Sequence, residues 1–432
     1  MSSHAELSRP KFIQSSSDLV NADVEAHPLD SSSRQKGAEA LLQQAPAKKS
    51  SRLVFIDNLR VVLIILVVMH HLAITYGAAG SWYYQDPVKD TLTSAVLTIL
   101  TATNQAFFMG LFFLISAYFT PGSYDHKGAG PFLRDRLLRL GIPLLIYDLL
   151  INPFVAFIAT GFQGSYWNFF TGYLLALGGI GQGPVWFIEA LLLFVALYAL
   201  WRWLRDKPFP FRTRLIPATP TPSTPRARPY PAYREMFLYI AGLALVDFLI
   251  RIWLPIGWTF QLLNFQFPFF PEYISLFILG IIAYRRGWFT SVPAAMGKVW
   301  LWIAVIDLVL FPVMAIGGGA INHMAYFEGG FHWQSLAYAL WEAILCVSLC
   351  TGLLVLFRQR FSRQGSLGRF LSANAYTVYI IHPLVIVALA YSLHAITLFP
   401  LLKYAIAVVI AVPCCFALSA LVRVIPFAKR IL

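Results

Sequence analysis

Residues 55–76 read FIDNLRVVLIILVVMHHLAITY, and this stretch decides what kind of molecule the chain builds. About 20 apolar residues rising ~1.5 Å each cross a hydrocarbon core of roughly 30 Å. Yet the stretch also carries Asp57, Arg60, His70 and His71. Ionisable groups at the centre of a spanning helix cost roughly 2.5–3.5 kcal/mol each on insertion scales, and they face a cavity or a partner. Arg60 and His71 stand 11 residues apart. At ~100° per residue they fall within about 20° of one helix face, ~16 Å apart along the axis. Asp57 lies one turn before Arg60 on roughly that face, and His70 points elsewhere. One apolar helix therefore holds a cation near its start and a titratable imidazole three turns deeper.

Composition extends this reading to the whole chain. Of 432 residues, 58% are hydrophobic and only 12% are charged, against about 25% charged in a soluble globular protein. The fold class is all-α: a polytopic membrane helix bundle. The four cysteines (Cys346, Cys350, Cys414, Cys415) lie in apolar runs with no disulfide or metal-ligand spacing, so they read as small core residues and no metal site is predicted. Any active site has to be built from spanning helices and their short loops.

Residues 1–50 are polar and read as a disordered tail with no signal peptide. Apolar segments follow at roughly 54–76, 91–119, 142–161, 184–204, 236–254, 268–284, 299–316, 334–357, 374–395 and 400–422. Ten spans put both termini on one side. Thirty of the 33 Lys and Arg residues then fall on that side, the exceptions being Lys89, Arg251 and Lys403. Positive charge gathers in cytoplasmic loops, so both termini are cytoplasmic. A proline-rich cytoplasmic loop at 205–235 is extended and divides the transmembrane region 52–425 into four-helix and six-helix parts.

Several residues are candidates for chemistry. Arg60 suits a phosphate or carboxylate arriving from the cytosol, or it snorkels to lipid headgroups. His71 suits a general base, its ordinary pKa of ~6.5 lying near working pH, or it bonds a neighbouring helix. Arg136 and Arg139, in FLRDRLLRLGIP (132–143), share a helix face at i, i+3. They form either an anion-binding cluster or a topology anchor. In GQGPVWFIEALLLF (181–194), Gly181, Gly183 and Pro184 break the chain before a helix. Glu189 then stands at a depth comparable with His71, where it would orient the imidazole as acids do in catalytic triads. Asp148, Asp247, Asp307 and Glu342 compete for that role, and Asp247 and Arg251 are spaced to pair with each other. In SANAYTVYIIHPLVIVALAYSL (372–393), Tyr376, Tyr379 and His382 lie along one side and Pro383 kinks the helix. His382 is a structural histidine or faces a ligand channel. No HExxH, Walker, GxSxG or GxGxxG pattern is present. The dispersed positive charge gives no support for nucleic-acid binding.

Taken in order, these motifs resemble the membrane acyltransferase family 3. An acid, then Arg60, ten residues and His71 resemble its first-helix signature. FFLISAYF (112–119), the Arg134–Arg139 run, GPVWFIEALL (183–192) and ANAYTVYIIHPLV (373–385) resemble its later motifs. FIDNLR, the doubled histidine and GPVWFIEALL are most similar to the glucan-modifying branch, the periplasmic glucan succinyltransferases. One departure is Ala117, which stands where the family usually has glycine. The resemblance implies O-acyl transfer, acetyl or succinyl, from cytosolic acyl-CoA to a hydroxyl of an extracytoplasmic glycan, in the plasma or inner membrane. By motif matching it implies His71 as the base and Arg60 as a donor-binding residue. The residues themselves add Glu189 as an acid that orients His71, and Arg136, Arg139, His70 and His382 as further substrate- or donor-binding candidates. Acyl-CoA is then a co-substrate, and no cofactor is permanently bound. Two other classes stay open: a glycan or lipid transporter, since intramembrane charges also mark transport pathways, and a non-catalytic membrane sensor.

Overall fold

The computed structural model describes residues 53–87, 90–175, 183–206, 230–260 and 263–431. The expected tail and most of the proline-rich loop lie outside the described residues. Among the described residues the secondary structure is helical apart from an isolated bridge between Phe260 and Phe265. The main helices are α1 (Val54–Thr75), α2 (Thr91–Gln105), α3 (Phe108–Tyr118), α4 (Thr120–Lys127), α5 (Ala129–Ala159), α6 (Tyr166–Leu175), α7 (Trp186–Asp206), α8 (Tyr233–Arg251), α9 (Phe270–Arg286), α10 (Ala294–Gly317), α11 (Trp333–Arg360), α12 (Ser366–Ser392) and α13 (Pro400–Val422).

The second apolar segment is broken. α2 ends at Gln105, and Phe107 leaves helical geometry at φ −149° before α3 begins. The third starts a dozen residues earlier than expected, so the basic run is itself helical. It is interrupted by two π turns, Leu137–Gly141 and Tyr147–Ile151.

Nine stretches among the described residues are long and apolar enough to cross a membrane, one fewer than the ten expected. The difference is α8, whose nineteen residues include Arg234, Glu235, Asp247 and Arg251. Its most buried cation is paired within the protein. Arg251 Nη2 meets Glu342 of α11 at 2.6 Å, both side chains about 1% exposed. Arg251 also donates to the Pro268 carbonyl. The expected Asp247–Arg251 pair therefore gives way to a contact between helices.

Geometrically, α8 runs the full depth of the bundle. Near its start, the Tyr230 hydroxyl bonds Thr351 at 3.1 Å, and at its end the Arg251 carbonyl accepts from Gly330 N at 2.9 Å. Along α11 and the residues before it, that interval is on the order of 30 Å, the thickness of a hydrocarbon core. The start of α1 and the end of α13 share one face of the bundle. Asn58 Nδ2 donates to the Phe361 and Arg363 carbonyls at 2.7 and 3.1 Å, and Ser419, near the end of α13, bonds Asn374 early in α12.

The helices that carry intramembrane polar groups are central. α11 and α12 bury the largest shares of their apolar windows, followed equally by α1 and the α2–α4 stretch, whereas α10 and α13 bury the least and present aliphatic side chains outward. α3 and α9 pack closely because small residues face each other. A Cβ at Gly280 of α9 would stand 2.4 Å from the Leu114 carbonyl oxygen and 2.7 Å from the Ala117 Cβ. The close approach expected from a glycine at 117 is thus supplied by the partner helix.

Candidate active site

His70 and His71 end the polar line of α1, and both border a cavity of about 1200 Å³. Its walls come from α1, α2, α3, the 79–83 segment, residues 183–186, the 256–269 segment and residues 324–338. All these segments lie toward the face opposite Asn58.

The imidazole of His71 is held on both sides. The Trp82 indole stacks on it with centroids 4.0 Å apart, and the His382 ring stacks at 5.0 Å. His71 Nδ1 lies 3.1 Å from His382 Nε2, and His382 Nδ1 lies 2.7 Å from the Tyr379 carbonyl oxygen. The sequence explains the second bond. Proline has no N–H to offer the carbonyl four residues earlier, so Pro383 leaves the Tyr379 carbonyl without its helical donor. His382 supplies one.

A carbonyl only accepts, so with both imidazoles neutral the proton of His382 sits on Nδ1. Its Nε2 then accepts from His71 Nδ1–H, and the lone pair of His71 lies on Nε2. His382 is fully buried behind this contact, whereas His71 reaches the cavity.

Trp82 is fixed by its neighbours. Asp86 forms a buried ion pair with Lys403 of α13, and its N–H donates to the Thr75 carbonyl at 2.8 Å. Tyr83 bonds Tyr147 at 2.9 Å and donates to Asn152. Burial raises the Tyr83 hydroxyl above the ordinary phenol range, so it remains a neutral donor. Gly183 makes room for this pair: its φ is +87°, and a Cβ there would lie 2.2 Å from the Tyr83 hydroxyl oxygen. The Gly183 carbonyl accepts from Asn264 at 3.3 Å, and Gln105 donates to Tyr273 at 2.7 Å.

The remaining candidates are distributed differently from the expected line. His70, expected to point elsewhere, also lines the cavity and packs on Phe108 at 5.1 Å. Glu189 lies outside the cavity lining, and its Oε2 has no hydrogen-bond partner among the described residues. The side chain in hydrogen-bond contact with the His71 ring is His382.

Along the α1 face the cavity lining ends at Val67, Ile64 is buried one turn below, and Arg60 follows one turn further. Arg60 pairs with Asp57 at 3.7 Å and lies 5.1 Å over the Phe119 ring. Arg136 lies over Phe132, and the backbone carbonyl of Arg139 accepts from the Tyr376 hydroxyl at 2.9 Å. A π turn begins between these arginines, so the regular i, i+3 spacing assumed for them does not hold.

Sequence reasoning missed Trp82, Tyr83 and the His71–His382 contact. The His-Pro dipeptide at 382–383 was a usable signal for the second histidine. Trp82 sits in a loop, where no helical period could align it with His71.

The geometry is one of acid–base chemistry: an oriented imidazole with a lone pair, shielded by aromatic rings, at the wall of a large pocket. No curated protein and no solved structure matches the chain. The family model described as an acyltransferase domain matches residues 53–420. That match favours an enzyme over the transporter and sensor readings, and it covers all thirteen main helices apart from the last turn of α13. The chain is a multi-pass membrane acyltransferase belonging to acyltransferase family 3.

Proposed function

We propose that this acyltransferase transfers a short acyl group, acetyl or succinyl, from cytosolic acyl-CoA to a hydroxyl of an extracytoplasmic glycan, in the plasma or inner membrane. The observation that carries the reading is the Tyr379–His382–His71 hydrogen-bond chain ending at the cavity wall. The positive-inside rule puts the Asn58 face in the cytoplasm, so the cavity opens outward. Aromatic rings and neutral amides in its walls suit a polyhydroxylated acceptor.

In this mechanism the acceptor hydroxyl gives its proton to His71 Nε2. The oxygen attacks the thioester carbonyl, the C–O bond forms and the C–S bond breaks. The departing thiolate takes the proton held by His71 and leaves as the free thiol, which restores the neutral imidazole. His382 is a positioning residue that keeps the His71 lone pair toward substrate. Arg60, with Arg136 and Arg139, binds the anionic part of the donor at the cytoplasmic face. The pantetheine arm reaches His71 by parting the packing at Ile64.

The test is transfer in proteoliposomes, with acyl-CoA supplied at the Asn58 face and glycan at the other, read as a mass gain of one acyl unit. A positioned base contributes about 10²–10⁴-fold. His71→Ala should therefore lower turnover by that factor while the protein stays folded. Full transfer by that variant would remove His71 as the base.

A further inference from the structure

The cavity beside His71 is lopsided in charge. Among the described residues, no Lys or Arg borders it, and Glu328 is the one acidic residue in its lining. Glu328 stands at the end of the short helix Ala325–Glu328. Its backbone carbonyl accepts from Ile256 N at 2.8 Å, tying that helix to the turn at the end of α8. Phe311, Phe327, Tyr338 and Ile256 pack together around this position. Among the described residues, no Lys, Arg or His forms an ion pair with Glu328.

A carboxylate in a cleft with low-dielectric walls projects a field that focuses into the cleft. With no Lys or Arg among the described lining residues to offset it, a second anion entering the cavity meets repulsion. A ligand whose oxygens are hydroxyls meets none, and it can bond neutral groups such as Gln105, Asn264 and Gln266.

We propose that Glu328 is the specificity determinant of the acceptor cavity. It admits uncharged polyhydroxylated acceptors, favours those bearing an amine, and rejects those bearing a carboxylate or phosphate. This rests on the reading that the cavity takes a glycan acceptor. It adds a charge filter to that reading, set by a residue outside the proton-transfer chain.

The test is binding rather than turnover. Full-length protein in nanodiscs is titrated with three matched disaccharides: one of glucose, one carrying glucosamine and one carrying glucuronate. In the wild type at low salt, the amine-bearing probe should bind tightest and the uronate roughly tenfold or more weaker than the neutral sugar. The gap should shrink as ionic strength rises and the Debye length falls to about 8 Å near 0.15 M. Glu328→Gln keeps the shape and should bring the three affinities within about threefold, and Glu328→Lys should reverse their order. A shared melting temperature would confirm that the variants fold.

Equal binding of neutral and uronate probes by the wild type would overturn the filter. So would a preference that survives in Glu328→Gln. If none of the three sugars bound the wild type, the glycan-acceptor reading itself would fall, and the filter with it.

Discussion

Pro383 shapes the reactivity of its neighbour. It cannot donate to the Tyr379 carbonyl, and His382 Nδ1 takes that place at 2.7 Å. Pro383→Ala would return a backbone N–H to the same acceptor. His382 would then have a weaker reason to keep its proton on Nδ1, and His71 would lose its fixed tautomer. We expect turnover to fall by roughly tenfold, less than the 10²–10⁴-fold a positioned base contributes, because His71 itself remains in place. Helix stability should hold or rise, because proline is about 3 kcal/mol less favourable than alanine inside a helix. Turnover in proteoliposomes, beside a thermal melt, checks both halves. Unchanged turnover would show that the carbonyl does not set the histidine. At this scale the sequence was partly legible. The helical period aligned Arg60 with His71, because both lie on one helix and need only the 3.6-residue repeat. The His71–His382 contact joins residues 311 apart, and no local rule supplies that distance.

Between elements, the α3–α9 contact depends on a missing side chain. A Cβ at Gly280 would meet the Leu114 carbonyl oxygen at 2.4 Å, and backbone cannot swing aside as a flexible side chain does. Gly280→Ala should destabilise the bundle by about 1–3 kcal/mol, the usual cost of overpacking. The loss would appear as a lower midpoint of unfolding in detergent. Gly110 faces a movable neighbour instead, the Glu272 carboxylate at 2.1 Å from its would-be Cβ. The α13-to-loop contact depends on charge. Lys403→Ala would leave Asp86 buried without its ammonium, and breaking a buried pair costs about 3–5 kcal/mol. The same change should loosen Trp82 over His71, so transfer should fall more than stability alone explains. Replacing both partners, Asp86→Leu with Lys403→Met, should recover most of the stability, read by the same melts. The apolar runs announced these elements because burial in lipid demands long uninterrupted hydrophobic segments. The break at Phe107 was signalled only by the excess length of the second segment, and the π turns of α5 carried no comparable signal.

At the scale of the whole molecule, the question is how many times the chain crosses the membrane. Among the described residues, nine stretches meet length and composition alone, and an odd number would separate the start of α1 from the end of α13. Yet Asn58 and Ser419 both bond to residues near the α11–α12 junction, at 2.7 and 3.0 Å. These contacts fit an even number of crossings, with α8 as the expected tenth despite its four charges. Composition undervalues it because Arg251 and Glu342 neutralise each other inside the protein rather than facing lipid. Topology mapping with an impermeant thiol reagent separates the two counts. In a background with the four native cysteines replaced and turnover retained, Trp253→Cys lies beyond the end of α8 at an exposed site. Ala232→Cys lies just before its start. If α8 crosses, the reagent should reach Trp253→Cys in intact cells and Ala232→Cys only after the membrane is opened. Labelling of both from the same side would leave α8 uncrossed, and the cavity wall that it helps position would have to be rebuilt.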